Sequence, residues 1–174
     1  MTDDLQPELA ATIRETFERR DRANMPPTID AFLALLEEHP GNPEVLYEVG
    51  GSYDTAGEEE TALGYYEAAL AAGLSGDSLR KCLMQYGSTL RILGRYDESM
   101  AALDRALAEY PESTSVRAFH ALALHAAGRS DGAVGELLEL VADAIPIPEV
   151  LRYEAALRGN AAYLVQLDAE RSAG

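Results

Sequence analysis

The chain has 174 residues, 47% of them hydrophobic, with 14 Lys+Arg against 30 Asp+Glu and a formal charge of -16. That length suits one domain or a short repeat array. The charge argues against nucleic acid and anionic membrane surfaces, both of which are bound through basic stripes. Low aromatic content, no Trp and abundant Ala and Leu favour helix over sheet.

The first ten residues, MTDDLQPELA, lack the basic and apolar regions of a signal peptide. No run approaches 18 apolar residues, and Cys82 is the single cysteine, so no intramolecular disulfide forms. Together these features lead us to expect a cytoplasmic protein. The scarcity of Lys beside plentiful Arg and Ala suggests a bacterial genome.

Residues 5–23 read as a first helix, with Leu5, Leu9, Ile13 and Phe17 on one apolar stripe. Glu15 and Arg19, and Glu18 and Arg22, form weak i, i+4 pairs, and Asn24, Pro26 and Pro27 stop the helix. Thr28 or Asp30 is expected to cap a second helix over 28–39, with Phe32, Leu33, Leu35 and Leu36 inside and His39 at its end. A third helix over 44–56 presents Leu46, Val49, Gly50 and Tyr53, and Gly57 ends it.

Glu58, Glu59 and Glu60 open a fourth helix that runs to about residue 72, where carboxylates complement the helix dipole. It buries Ala62, Leu63, Tyr66, Ala69 and Leu70. After the loop Gly73–Asp77 come helices over 78–93, 96–109, 113–127, 130–143 and 149–168, with AERSAG as a frayed tail. In these helices Leu137 and Tyr153 fall on core faces.

The helix-ending glycines carry a period. Gly94 and Gly128 are 34 residues apart, and Gly57 precedes Gly94 by 37, the surplus fitting the GLSGD loop. Seven residues before each stand Gly50, Gly87 and Ala121; four before, Tyr53, Leu90 and Leu124. Five after stand Ala62, Ser99 and Ala133; nine after, Tyr66, Leu103 and Leu137. Small residues let two helices approach, and the large one fills the hole against the next pair. Such units cannot bury their apolar faces alone and therefore stack.

This pattern resembles the tetratricopeptide repeat, and YEVGGSYDTAGEEETALGYYEAALAAGLSGDSL with YGSTLRILGRYDESMAALDRALAEYP resembles its fifth, bacterial group. The resemblance implies an all-α fold, a right-handed α-α superhelix of about nine helices. The units are 5–42 (divergent), 43–77, 78–111 and 112–145, with 149–168 as a capping helix, together one domain.

It also implies that the first helix of each pair lines a concave groove. In this chain that selects Tyr47 and Asp54, then Lys81, Met84, Ser88 and Arg91, then Leu122 and His125, as contacts for an extended peptide or a helix. The carboxylate clamp of chaperone-adaptor members has its places filled here by Tyr47, Gly51, Gln85, Ser115 and Phe119, none of them positive, so recognition of that C-terminal motif is not expected.

Catalytic motifs are not found: no phosphate loop, no dinucleotide fingerprint and no nucleophile elbow. His120 and His125 are five apart, whereas metal pairs on a helix prefer four, so no metal or cofactor is expected. His120 falls on the core stripe and reads as a hydrogen-bonded packing residue, and Cys82 as a bystander thiol. Residues 41–79 hold eight Asp/Glu and no Lys/Arg, while 80–110 hold five Lys/Arg and four Asp/Glu. The expectation is a non-catalytic scaffold for a protein or peptide partner, with homo-oligomerisation as the alternative.

Overall fold

A computed structural model describes residues 7–172. Among them are nine helices and no strands: α1 (Pro7–Glu18), α2 (Pro26–Glu38), α3 (Pro43–Ala56), α4 (Glu59–Ala71), α5 (Gly76–Ile92), α6 (Tyr96–Glu109), α7 (Thr114–Ala126), α8 (Ser130–Ala144) and α9 (Pro148–Ser172). The fold is an all-α helical repeat. The chain divides into two compact units, residues 1–82 and 83–174, with the boundary inside α5. Leu5, assigned to the first stripe, lies outside the described residues.

In the first unit α3 and α4 form the tightest pair, with α1 and α2 packed on α3. The core gathers Leu9, Phe32, Leu35, Val45 and Val49, flanked by Ile13, Leu33, Leu36, Tyr53 and Tyr65. Tyr53 and Tyr65 stack with centroids 5.6 Å apart. Asn42 caps α3 by accepting from the backbone N–H groups of Glu44 and Val45, so one side chain satisfies two donors the helix leaves free. At the other end Gly57 adopts φ 79°, a left-handed geometry that costs glycine least, and the Glu58 N–H reaches back to the Tyr53 carbonyl.

The second unit runs α6, α7, α8, α9 in sequential contact. Within it the Ser99 hydroxyl donates to the Gly87 carbonyl at 2.6 Å, which ties the start of α6 to α5 with both atoms buried. Ser113 caps α7 by accepting from the Val116 N–H. Gly132 and Gly135 bring α8 against α9, where a Cβ on Gly135 would lie 2.9 Å from Val165 Cγ2.

Several expectations are corrected. The first helix stops at Glu18, and residues 19–25 form turns in which the Asp21 carboxylate accepts from the Ala23 N–H. The two prolines that seemed to stop it begin α2 instead, because proline's fixed φ suits the first helical turn. Thr28 is therefore buried inside the helix and caps nothing; the N-cap residue is Met25, without a side-chain bond. Phe17 is exposed, with the Arg20 guanidinium 3.5 Å above its ring.

Leu137 is 42% exposed although Tyr66 and Leu103, at the matching positions, are fully buried. Ala121 carries the Cβ that Gly50 and Gly87 lack, so the slot is shallower in the third repeat. Tyr153 is 57% exposed as well. Residues 169–172 of the tail are helical rather than frayed, since α9 continues to Ser172, and its last two residues lie outside the described ones.

Candidate functional site

The residues expected to make contacts fall into both units. In the first, Tyr47 is buried, its ring 6.3 Å from Tyr66, and burial beside Glu48 pushes its hydroxyl pKa upward. Asp54 accepts from the Tyr66 hydroxyl at 3.3 Å and so supports its own repeat. Lys81 pairs with Asp77 at 2.8 Å on an exposed helix face.

In the second unit Met84, Ser88 and Arg91 are half-buried, and Leu122 and His125 are exposed. An Arg91 Nη donates to Ser88 Oγ at 3.5 Å, while its Nε is buried without a hydrogen-bond partner. The His125 ring Nδ1 lies 3.4 Å from the Ser130 hydroxyl.

A cluster not expected from the sequence stands out in the second unit. Eleven and eight residues before the helix-ending glycines, the first two repeats carry Leu46 and Val49, then Leu83 and Tyr86; the third carries Arg117 and His120. Two packing positions thus become ionisable on α7. Their partners come from two other helices, α6 and α8. His120 Nδ1 donates to Glu136 on α8 at 2.5 Å, and its Nε2 to Asp104 on α6 at 3.1 Å, so both ring nitrogens carry protons in this arrangement. Burial alone would lower the His120 pKa, but the bonds and charges of Glu136 and Asp104 outweigh it and the pKa is raised.

The neighbouring arginines are already committed. Arg117 reaches Asp143 at 2.8 Å, and Arg158 on α9 bridges Glu139, Asp143 and Glu154. Hydrogen bonds from Arg117 and then Arg158 hold the Asp143 carboxyl below its usual range. Arg129 grips Asp168 through two nitrogens, at 2.6 and 3.0 Å.

Asp104, Arg117, His120, Arg129, Glu136 and Asp168 line an open pocket of about 410 Å³, with Met100, Leu124 and Val165 as its apolar wall. Its size falls in the range of small-ligand sites. Among the described residues no group of three or more His, Cys, Asp or Glu is placed to hold a metal. Cys82 is fully buried, and no described helix is long and apolar enough to cross a membrane.

Sequence reasoning placed His120 on the core stripe and anticipated a hydrogen bond, but not its two carboxylate partners, each 16 residues away. Comparing the repeats at the Leu46 and Val49 positions would have found the cluster, since the polarity change there is visible in the sequence.

The family model described as Tetratrico peptide repeat, the fifth of its kind, matches residues 43–164. No curated protein matches the sequence. Among solved structures the chain resembles a crystal structure of MamA, with 18% identity over 90% of this chain and 94% of that one at a TM-score of 0.66. It also resembles MamA 41-end from Desulfovibrio magneticus RS-1, with 13% identity over 96% of each chain at a TM-score of 0.66. At such identities the likeness speaks to fold alone. The family match covers most of the chain and spans all three glycine-punctuated repeats, so the chain belongs to the tetratricopeptide repeat family.

Proposed function

We propose that this chain is a non-catalytic scaffold that holds a peptide or an extended protein segment on the first helices of its repeats. The family supports protein interaction in general, since its repeats serve as binding scaffolds rather than catalysts. The observation that carries the finer reading is Arg91. Its Nε is buried with no partner in a chain of formal charge -16, with Ser88 beside it. An unpaired buried donor of this kind is costly, and a partner carboxylate that engages the Arg91 guanidinium would offset that cost.

Met84, Ser88, Leu122 and His125 complete the contact set in the second unit. Within the first unit the same proposal takes Lys81 and Asp54, and Tyr47, buried against Tyr66, keeps a packing role.

The test is selection of a displayed peptide library against the folded chain, followed by titration of the winners against Arg91→Glu. Shared acidic residues and loss of binding in the variant support the assignment. Winners that bind the folded variant as tightly as the parent refute it.

A second reading, self-association, has its own observation. Leu151, Tyr153, Tyr163 and Val165 on α9 are each about half exposed. Light scattering separates the two readings, because a strict monomer at high concentration rules out self-assembly.

A further inference from the structure

The pocket around His120 has a chemistry that the peptide-binding proposal does not use. Repeat packing would be served there by apolar side chains, as it is at Leu46, Val49 and Leu83. Replacing apolar contacts by a half-buried charge network generally costs stability, so its presence calls for a role.

The charges facing His120 can be accounted for helix by helix. On its own α7, Arg117 is bound to Asp143. At the N-cap of α8 Arg129 is bound to Asp168 of α9, and within α8 Glu139 is bound to Arg158 of α9. That leaves Asp104 of α6 and Glu136 of α8, whose only bonded partner among the described residues is His120 itself. Each uses one oxygen for the imidazole, Glu136 its Oε2 and Asp104 its Oδ1, and keeps the other free. Each arginine at the pocket is matched by a carboxylate, whereas Asp104 and Glu136 together face the single charge of His120, so the local balance favours a cation over an anion. A cation finds two carboxylates and, beside them, the apolar wall of Met100, Leu124 and Val165.

We infer that the pocket takes an alkyl ammonium or guanidinium group, seated on Asp104 and Glu136, in exchange for the proton of His120. The group is the charged end of a lysine or arginine side chain, or of a free polyamine. Its methylene stem lies along the apolar wall, as such stems do on protein surfaces. While His120 is protonated it neutralises the carboxylates and competes with the incoming cation. Once it is neutral, two facing carboxylates lack a counter-charge. Binding therefore releases a proton and strengthens as pH rises, by up to about tenfold per pH unit, until the imidazole is neutral. The ligand face is separate from that of Leu122, which lies about 200° around α7 from His120.

Calorimetric titration of the full chain with agmatine, and with a capped Gly-Arg-Gly peptide, at about pH 6 and about pH 8.5 tests this. Saturable binding that is tighter at the higher pH, with proton release seen across buffers of different ionisation enthalpy, supports it. Asp104→Asn alters a side chain that is 64% exposed and leaves the fold intact; it is expected to weaken both probes about tenfold. His120→Gln is expected to bind equally at both pH values. A peptide that binds much more tightly than agmatine marks a partner side chain as the ligand, and equal binding marks a free amine. No saturable binding of either probe at the higher pH, undiminished binding by Asp104→Asn, or a surviving pH dependence in folded His120→Gln overturns the inference. Arg91→Glu leaves the agmatine titration unchanged, so this site and the peptide face stand or fall separately.

Discussion

Leu103 lies so close over Gly87 that a Cβ on the glycine would come within 2.7 Å of Leu103 Cγ. The atom in the way is the branch point of a fully buried side chain and cannot swing aside. Tyr66 covers Gly50 in the same manner, with ring atoms at 2.8 and 2.9 Å. The repeat therefore uses its glycine for close approach of two helices, against the helix-forming preference of the sequence.

Gly87→Ala is expected to destabilise the chain by about 1–3 kcal/mol, because overpacking outweighs the gain in helix propensity. Gly64→Ala is the control. It sits exposed in α4 with nothing within 4 Å of an added Cβ, and is expected to stabilise by about 0.5–1 kcal/mol. Urea unfolding of the two variants checks the opposite signs; equal effects would mean that Leu103 yields.

Much of the architecture is legible because its signals are local. Gly57, Gly94 and Gly128 all adopt positive φ, as helix-ending glycines do, and the ends of α3, α5 and α7 lie within two residues of them. The exceptions share a cause. Pro26 and Pro27 are compatible both with stopping one helix and with starting the next, and only packing decides between them. The His120 cluster draws on α6, α7 and α8 across 16-residue separations, which no local pattern encodes. Tyr47 looks free on a helical wheel but is covered from another helix by Tyr66. Repeat comparison, position by position, is the signal that reaches such places.

Glu48 should make the first unit sensitive to pH. Burial, then the charge of Glu44, pushes its carboxyl up to about 7, with Lys81 and Arg20 pulling the other way. A folded-state pKa above the unfolded value means that the folded chain holds the proton more tightly. The stabilisation is complete below the unfolded carboxylate range and is lost as pH rises through about 7. Glu48→Gln is expected to match the parent at low pH and exceed it above pH 7. Melting curves across that window check it, and identical curves at high pH would place the carboxylate in solvent.

His120 acts with the same sign in the second unit. Its pKa is raised, since the bonds and charges of Glu136 and Asp104 overcome the opposing effect of burial. Its contribution is full below the unfolded histidine range and disappears as pH climbs through the folded value. His120→Gln is expected to lose stability chiefly at low pH and to converge on the parent at high pH. An NMR titration of the imidazole gives the folded value directly, and a midpoint at or below that of an unfolded control peptide would contradict the geometry.

The end of α9 depends on Asp168. Its carboxylate is 8% exposed at the side chain and takes both bonds from Arg129, and Arg171 reaches back from the next turn to Asp131. Helix propensity alone would let the last turns of a 25-residue helix fray. Two ion pairs to the start of α8 hold them instead. Removing one partner of a buried pair costs about 3–5 kcal/mol, but Arg129 is 42% exposed and regains water when freed. Asp168→Ala is therefore expected to cost about 1–2 kcal/mol, discounted for that screening. The loss should be local: amide exchange rises over residues 161–172 while α3 and α4 keep their protection. Arg171→Ala, removing an exposed pair, is expected to open only the final turn. Uniform loss of protection along the chain in Asp168→Ala would show that α9 unfolds with the rest of the molecule rather than ahead of it.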